Sequence, residues 1–147
     1  MNDKWIDYFY RKAVMASEMS KDKDTKIGAC IFDEEDKVEV TTGWNDLPRG
    51  VEHTNERNSR PLKYKLTSHA EISAITNAAR TGRSTKGKSI VVTGLFPCSL
   101  CAAAIINSGI TKVYSTPPDF SHTQYGEDFK LSYEMFTEAE VETIYVP

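Results

Sequence analysis

Cys98 and Cys101 stand three positions apart, directly after Pro97, in the stretch LFPCSLCAAAI that begins at Leu95. On a helix, two thiols at that spacing share one face. They can then act as a redox couple, close a structural metal clip, or supply half of a reaction centre. The choice depends on what other ligands exist. Cys30 is the one remaining cysteine, and the histidines are His53, His69 and His122. His69 opens the stretch HAE, with Glu71 two positions on. One imidazole and two thiolates form the donor set of a catalytic zinc site. Three ligands leave a fourth tetrahedral position for water, and a bound zinc lowers the pKa of that water towards about 7. Glu71, two residues from His69, need not be a ligand. It is placed to move protons, a role worth roughly 10²- to 10⁴-fold in rate.

The elements that must carry these residues are readable from periodicity. Residues 68–80, SHAEISAITNAAR, place alanines and isoleucines at helical spacing, with Ser68 as the expected cap. Residues 98–109 predict a second helix, entered after Pro97 and closed by Gly109. Two helices side by side bring His69, Cys98 and Cys101 to one point, and their N-terminal dipole ends favour thiolates there. Around them the sequence predicts a helix over residues 3–20, strands over 26–32 and 37–44, a long polar loop over 45–61, strands over 89–94 and 110–116, a helix over 127–139 and a last strand over 140–146. A hairpin followed by alternating helices and strands implies one mixed sheet with helices on both faces, in a single domain over residues 1–147. Cys30 falls in an apolar strand and reads as core; His53 and His122 read as solvated loop residues. No thioredoxin-like start surrounds the CxxC pair, which disfavours a redox role.

Composition narrows the partners. The formal net charge of −3 argues against a protein whose main affinity is for a nucleic acid. No run approaches the roughly 20 apolar residues of a membrane span. The polar start MNDKWIDYFYRK and the odd cysteine count point to a soluble, reducing, cytoplasmic setting.

The pattern H-A-E, a gap of 25 residues, then P-C-x-x-C matches the signature of zinc-dependent nucleobase deaminases. Over most of its length the chain resembles the deoxycytidylate deaminases of the cytidine deaminase superfamily. The narrower resemblance rests on GWNDLPRGVEHTNER, RPLKYKLTSHAE, NAARTG and GLFPCSLCAAAIINSGI. It implies a three-layer cytidine deaminase-like α/β fold with a five-stranded mixed sheet. It also implies deamination of dCMP to dUMP and ammonia, supplying dUMP for thymidylate synthesis, in a homo-oligomer, commonly a hexamer, activated by dCTP and inhibited by dTTP. Carried over by position, His69, Cys98 and Cys101 bind zinc and Glu71 shuttles protons. Asn45, Lys26, Ala70 and Tyr125 fall at substrate-contacting positions. Asn45, Arg49, Gly50, Ser73 and Arg80 are candidates for nucleotide or effector contact. Asn45 also has a plain structural reading, as a residue that accepts a left-handed turn.

Two departures from the family pattern matter. Relatives usually carry Asn where this chain has Ser73, which bears on regulation. Some also hold a second, structural zinc on extra cysteines that this chain lacks, so one zinc per subunit is expected. The competing readings are a deaminase of another cytosine or adenine substrate, either a nucleoside or a base in tRNA or single-stranded DNA, and a non-catalytic zinc-stabilised nucleotide sensor. A proton shuttle at Glu71 has no use in a sensor.

Overall fold

The computed structural model describes residues 1–146. The chain opens with helix α1, Asp3–Ser17, capped by Asn2, whose side-chain oxygen accepts from the Trp5 backbone N–H at 3.2 Å. A hairpin follows, β1 Gly28–Asp33 and β2 Val38–Trp44. Then come a short helix α2, Lys63–Leu66, and helix α3, Ala70–Arg80. The rest alternates: β3 Ser89–Val92, α4 Ser99–Asn107, β4 Lys112–Ser115, α5 Gly126–Glu138 and β5 Glu142–Tyr145.

The five strands form one sheet in the order β2-β1-β3-β4-β5. β1 pairs antiparallel with both β2 and β3, whereas β3, β4 and β5 run parallel. The crossovers through α3, α4 and α5 all step across the sheet in the same direction. With the usual right hand they must land on the same face. The packing agrees. Ala29, Ile31, Ile90 and Val92 join Ala74 of α3, Ile105 of α4 and Phe136 of α5 in one core. The alternate strand residues Cys30, Phe32, Val91 and Tyr114 turn the other way, against Phe9 and Ala13 of α1. Phe9 and Phe32 stack at 4.2 Å between ring centroids. The mixed sheet with helices on both faces is therefore the architecture expected from the sequence.

Helix α3 lies close on the sheet because β2 carries Gly43 beneath it. A Cβ at Gly43 would come within 2.3 Å of the Ala74 nitrogen and 2.7 Å of the Ala70 carbonyl oxygen. Small residues on both elements let the helix that starts at His69 approach the strand backbone.

Two local features differ from expectation. The cap of α3 is His69, not Ser68. Ser68 is held extended by paired backbone hydrogen bonds with Asp46, at 2.8 and 3.2 Å, so the helix starts one residue later; its hydroxyl lies 3.0 Å from that of Ser73. The helical turn α2 lies in a segment too short and too polar to show a period.

Candidate active site

His69 and Cys98 occupy equivalent places: each is the N-cap of a helix, α3 and α4, with an extended backbone and no side-chain cap of its own. Both helices follow parallel strands, β2 and β3, so their N-termini meet beyond the strands' carboxyl ends. In open α/β sheets this is where ligands bind. Cys101, one turn into α4, is fully buried. The His69 Nδ1 lies 3.5 Å from Cys98 Sγ and 3.3 Å from Cys101 Sγ. All three donor atoms lie within 4.8 Å of one another, and among the described residues this is the one such group of three. Tetrahedral coordination at ordinary Zn–S and Zn–N lengths puts nitrogen and sulfur donors about 3.5 Å apart. The triad thus fits zinc in both donor type and spacing.

The first turn of α4 is held from outside. Asp128, in the first turn of α5, accepts from the Ser99 backbone N–H at 2.8 Å and from its hydroxyl at 2.6 Å. That carboxylate supplies the cap that Cys98 does not, and it anchors the segment bearing both thiols.

The charge state of the protein-only site is ordered. A hydrogen bond from Cys101 and a further one with His69 hold the Cys98 thiol down at about 4, against the penalty of burial. Cys101 is pushed up by its hydrogen bond to that thiolate and by burial. His69 is raised by its hydrogen bond to Cys98. Glu71 is 5 % exposed, and burial pushes its carboxyl above the ordinary carboxylate range. Burial, helped by the Glu39 charge, lifts Cys30, on the other face of the sheet, to about 12.

Glu71, His69 and Cys98 line a cleft of about 490 Å³ with apolar walls that include Ile27, Phe96 and Phe129. Of the residues expected near substrate, Asn45, Ala70 and Tyr125 line this cleft. Lys26 is not among the lining residues, and its ammonium donates to the Ser20 carbonyl. Asn45 is not in the left-handed region. Its amide accepts from the Ile27 N–H and donates to the Thr25 carbonyl, both at 2.8 Å, which pins the segment entering β1. Arg49, Gly50, Ser73 and Arg80 come together elsewhere, with Trp44, around a second cleft of about 650 Å³ on the outer side of α3.

Sequence reasoning passed over three contributors to the first cleft. Lys63 is 5 % exposed and reaches Asp22 at 3.2 Å and Asp24 at 2.9 Å, tying α2 to the segment before β1. Arg60 lines the same wall, and His122 is half-buried in the cleft rather than solvated. Arg60 and Lys63 fall inside the stretch RPLKYKLTSHAE, where their residue types alone assign no role, and His122 lies in a loop without a period.

The fold and the triad together define a zinc-binding deaminase class. Residues 3–116 match the family model for the cytidine and deoxycytidylate deaminase zinc-binding region, and the chain belongs to this family. An uncharacterised deaminase of Aliivibrio fischeri is 39% identical over 149 residues, covering 100% of this chain and 97% of its own. The deoxycytidylate deaminase of Pongo abelii is 33% identical over 137 residues, 89% of this chain and 75% of its own. A crystal structure of dCMP deaminase from the cyanophage S-TIM5, in complex with dCMP and dUMP, has the same fold. It superposes with a TM-score of 0.78 at 20% identity over 99% of both chains. No helix among the described residues is long and apolar enough to cross a membrane.

The ordering of the thiols has a direct chemical readout. In metal-free protein, alkylation of Cys98 by iodoacetamide is expected to be nearly flat between about pH 6 and 8, because the thiolate is already formed across that window. Site-resolved mass spectrometry checks this. A Cys98 rate rising about tenfold per pH unit would mark an unperturbed thiol and contradict the reading.

Proposed function

We propose that the protein hydrolyses dCMP to dUMP and ammonia. The observation that carries this reading is the His69–Cys98–Cys101 triad beside the buried Glu71, on the wall of a cleft large enough for a mononucleotide. When zinc is held by these three residues it acts as a Lewis acid that activates water. The apolar residues Ile27, Phe96 and Phe129 hold a pyrimidine ring and exclude bulk water. Glu71, with its carboxyl raised by burial, takes a proton from the attacking water and passes it to ring N3. It then takes the remaining proton from the hydroxyl now on C4 and delivers it to the exocyclic nitrogen. The C4–O bond forms, the C4–N4 bond breaks, and ammonia leaves as the carboxylate returns to its starting state.

The choice of dCMP is supported by relatives named as deoxycytidylate deaminases and by the shared fold of a phage enzyme crystallised with dCMP and dUMP. In this reading the product dUMP feeds thymidylate synthesis in the cytoplasm. One zinc per subunit accords with the single donor group among the described residues. The second cleft, where Arg49, Ser73 and Arg80 meet, is assigned to the effectors dCTP and dTTP. Helix α4, SLCAAAIIN, is apolar on nearly every side, yet Leu100 is 74% exposed. A helix of that composition is ordinarily covered, which supports a homo-oligomer, taken here as a hexamer.

Glu71→Gln should retain zinc by metal analysis while dCMP turnover falls about 10²- to 10⁴-fold. Unchanged turnover would refute the proton-transfer role. Rate curves against dCMP should become sigmoidal or shift with dTTP and recover with dCTP, and Arg80→Ala should flatten that response. Superposable curves with and without effectors would remove the assignment of the second cleft.

A further inference from the structure

Two cations line the active cleft, Arg60 and Lys63. Lys63 is already used, since its ammonium is held between Asp22 and Asp24. Arg60 is different. It is exposed, and its recorded contact is with the Tyr64 ring, at 5.8 Å to the centroid. Such a contact uses the charge of the guanidinium and none of its N–H donors. Among the described residues none accepts a hydrogen bond or ion pair from it. Asp24 feels the Arg60 charge, but the hydrogen bond of its carboxylate goes to Lys63.

His122, in the loop after β4, lines the same cleft. Its Nδ1 accepts from the backbone N–H groups of both Gln124 and Tyr125, each at 3.1 Å. A nitrogen that accepts cannot carry the hydrogen, so the hydrogen sits on Nε2. The ring is also stacked on Tyr125, with centroids 5.0 Å apart and planes 26° apart. The ring is thereby oriented with Nε2–H as its outward donor, which has no partner among the described residues.

The cleft therefore presents two donor groups without a hydrogen-bond partner among the described residues, on separate segments and outside the metal triad. The carboxylates that share the cleft do not engage them: Asp22 accepts from Lys63, and Glu71 makes no hydrogen bond or ion pair with either group. We propose that Arg60 and His122 form an anion subsite that recognises the monophosphate of the substrate. The planar fork of Arg60 suits two phosphate oxygens and His122 Nε2–H a third or a shared one. The other candidate arginines for this task, Arg49 and Arg80, line the second cleft instead. This assignment rests on the reading of the protein as a nucleotide deaminase and names how it tells a nucleotide from a nucleoside.

The test is ammonia release from dCMP and from deoxycytidine by the zinc-loaded wild-type protein, Arg60→Gln, Arg60→Lys and His122→Asn. The last keeps an acceptor for the loop N–H groups while withdrawing the Nε2 donor. The ratio of kcat/KM for dCMP to that for deoxycytidine should fall at least about tenfold in Arg60→Gln, mainly through KM, because a site built to bind a charged group discriminates strongly against its absence. Arg60→Lys should recover part of the ratio, and His122→Asn should lower it. Unchanged ratios in Arg60→Gln and His122→Asn, or equal losses on both substrates, would overturn the subsite while leaving the deaminase reading standing. A wild-type protein inactive on dCMP would overturn that reading itself.

Discussion

The approach of two helix N-termini to a single point is the constraint on which the rest of this molecule depends. Helices α3 and α4 each begin with a metal-type ligand as cap, and those caps bring an imidazole nitrogen within 3.5 Å of two sulfurs. Without a cation, the arrangement crowds one thiolate, one thiol and one imidazole into a partly buried space. A divalent zinc resolves that crowding, and its affinity is then part of the folding free energy of the region. The sheet order follows from the same need. Parallel β2 and β3 flank β1, and their carboxyl ends release the chain on the side where the helices must start.

The surroundings hold the geometry in place through polar contacts more than through apolar packing. Asp128 closes the start of α4 through Ser99. Asn45, Lys63, Asn58 and Ser20 together tie down the segment that runs from α1 into β1, through bonds to Thr25, Ile27, Asp22, Lys21 and the Asn45 carbonyl. That segment forms one wall of the cleft. A loop held by four side chains contributes little reorganisation when a ligand enters, which is how a site gains selectivity without a large buried area. Outer contacts of this kind commonly change metal affinity 10- to 100-fold when removed.

Much of this was legible in the sequence, for identifiable reasons. The alternation Ala29, Cys30, Ile31, Phe32 marks a strand buried on both faces, and the alanine rows of α3 and α4 mark helices that pack closely. The motif residues stood out because chemistry restricts both their type and their spacing. Other features carried no such mark. The start of α3 moved to His69 because backbone pairing between Asp46 and Ser68 outweighed the capping preference of a serine. The Lys63–Asp22 pair joins residues 41 positions apart, and the Asp128–Ser99 contact spans 29. Contacts that arise only when distant segments fold together leave no periodic trace. The resemblance places Lys26 at a substrate-contacting position, whereas its ammonium donates to the Ser20 carbonyl.

The central claim is that one zinc is held by two thiolates and one imidazole, with no fourth protein ligand. X-ray absorption at the zinc edge of the purified protein measures this directly. The account predicts a first shell of two sulfurs near 2.3 Å and one imidazole nitrogen near 2.0 Å, with the remaining scattering from a light, non-imidazole atom. A shell of three or four sulfurs, a second imidazole, or a protein that purifies and refolds without any bound zinc would contradict it.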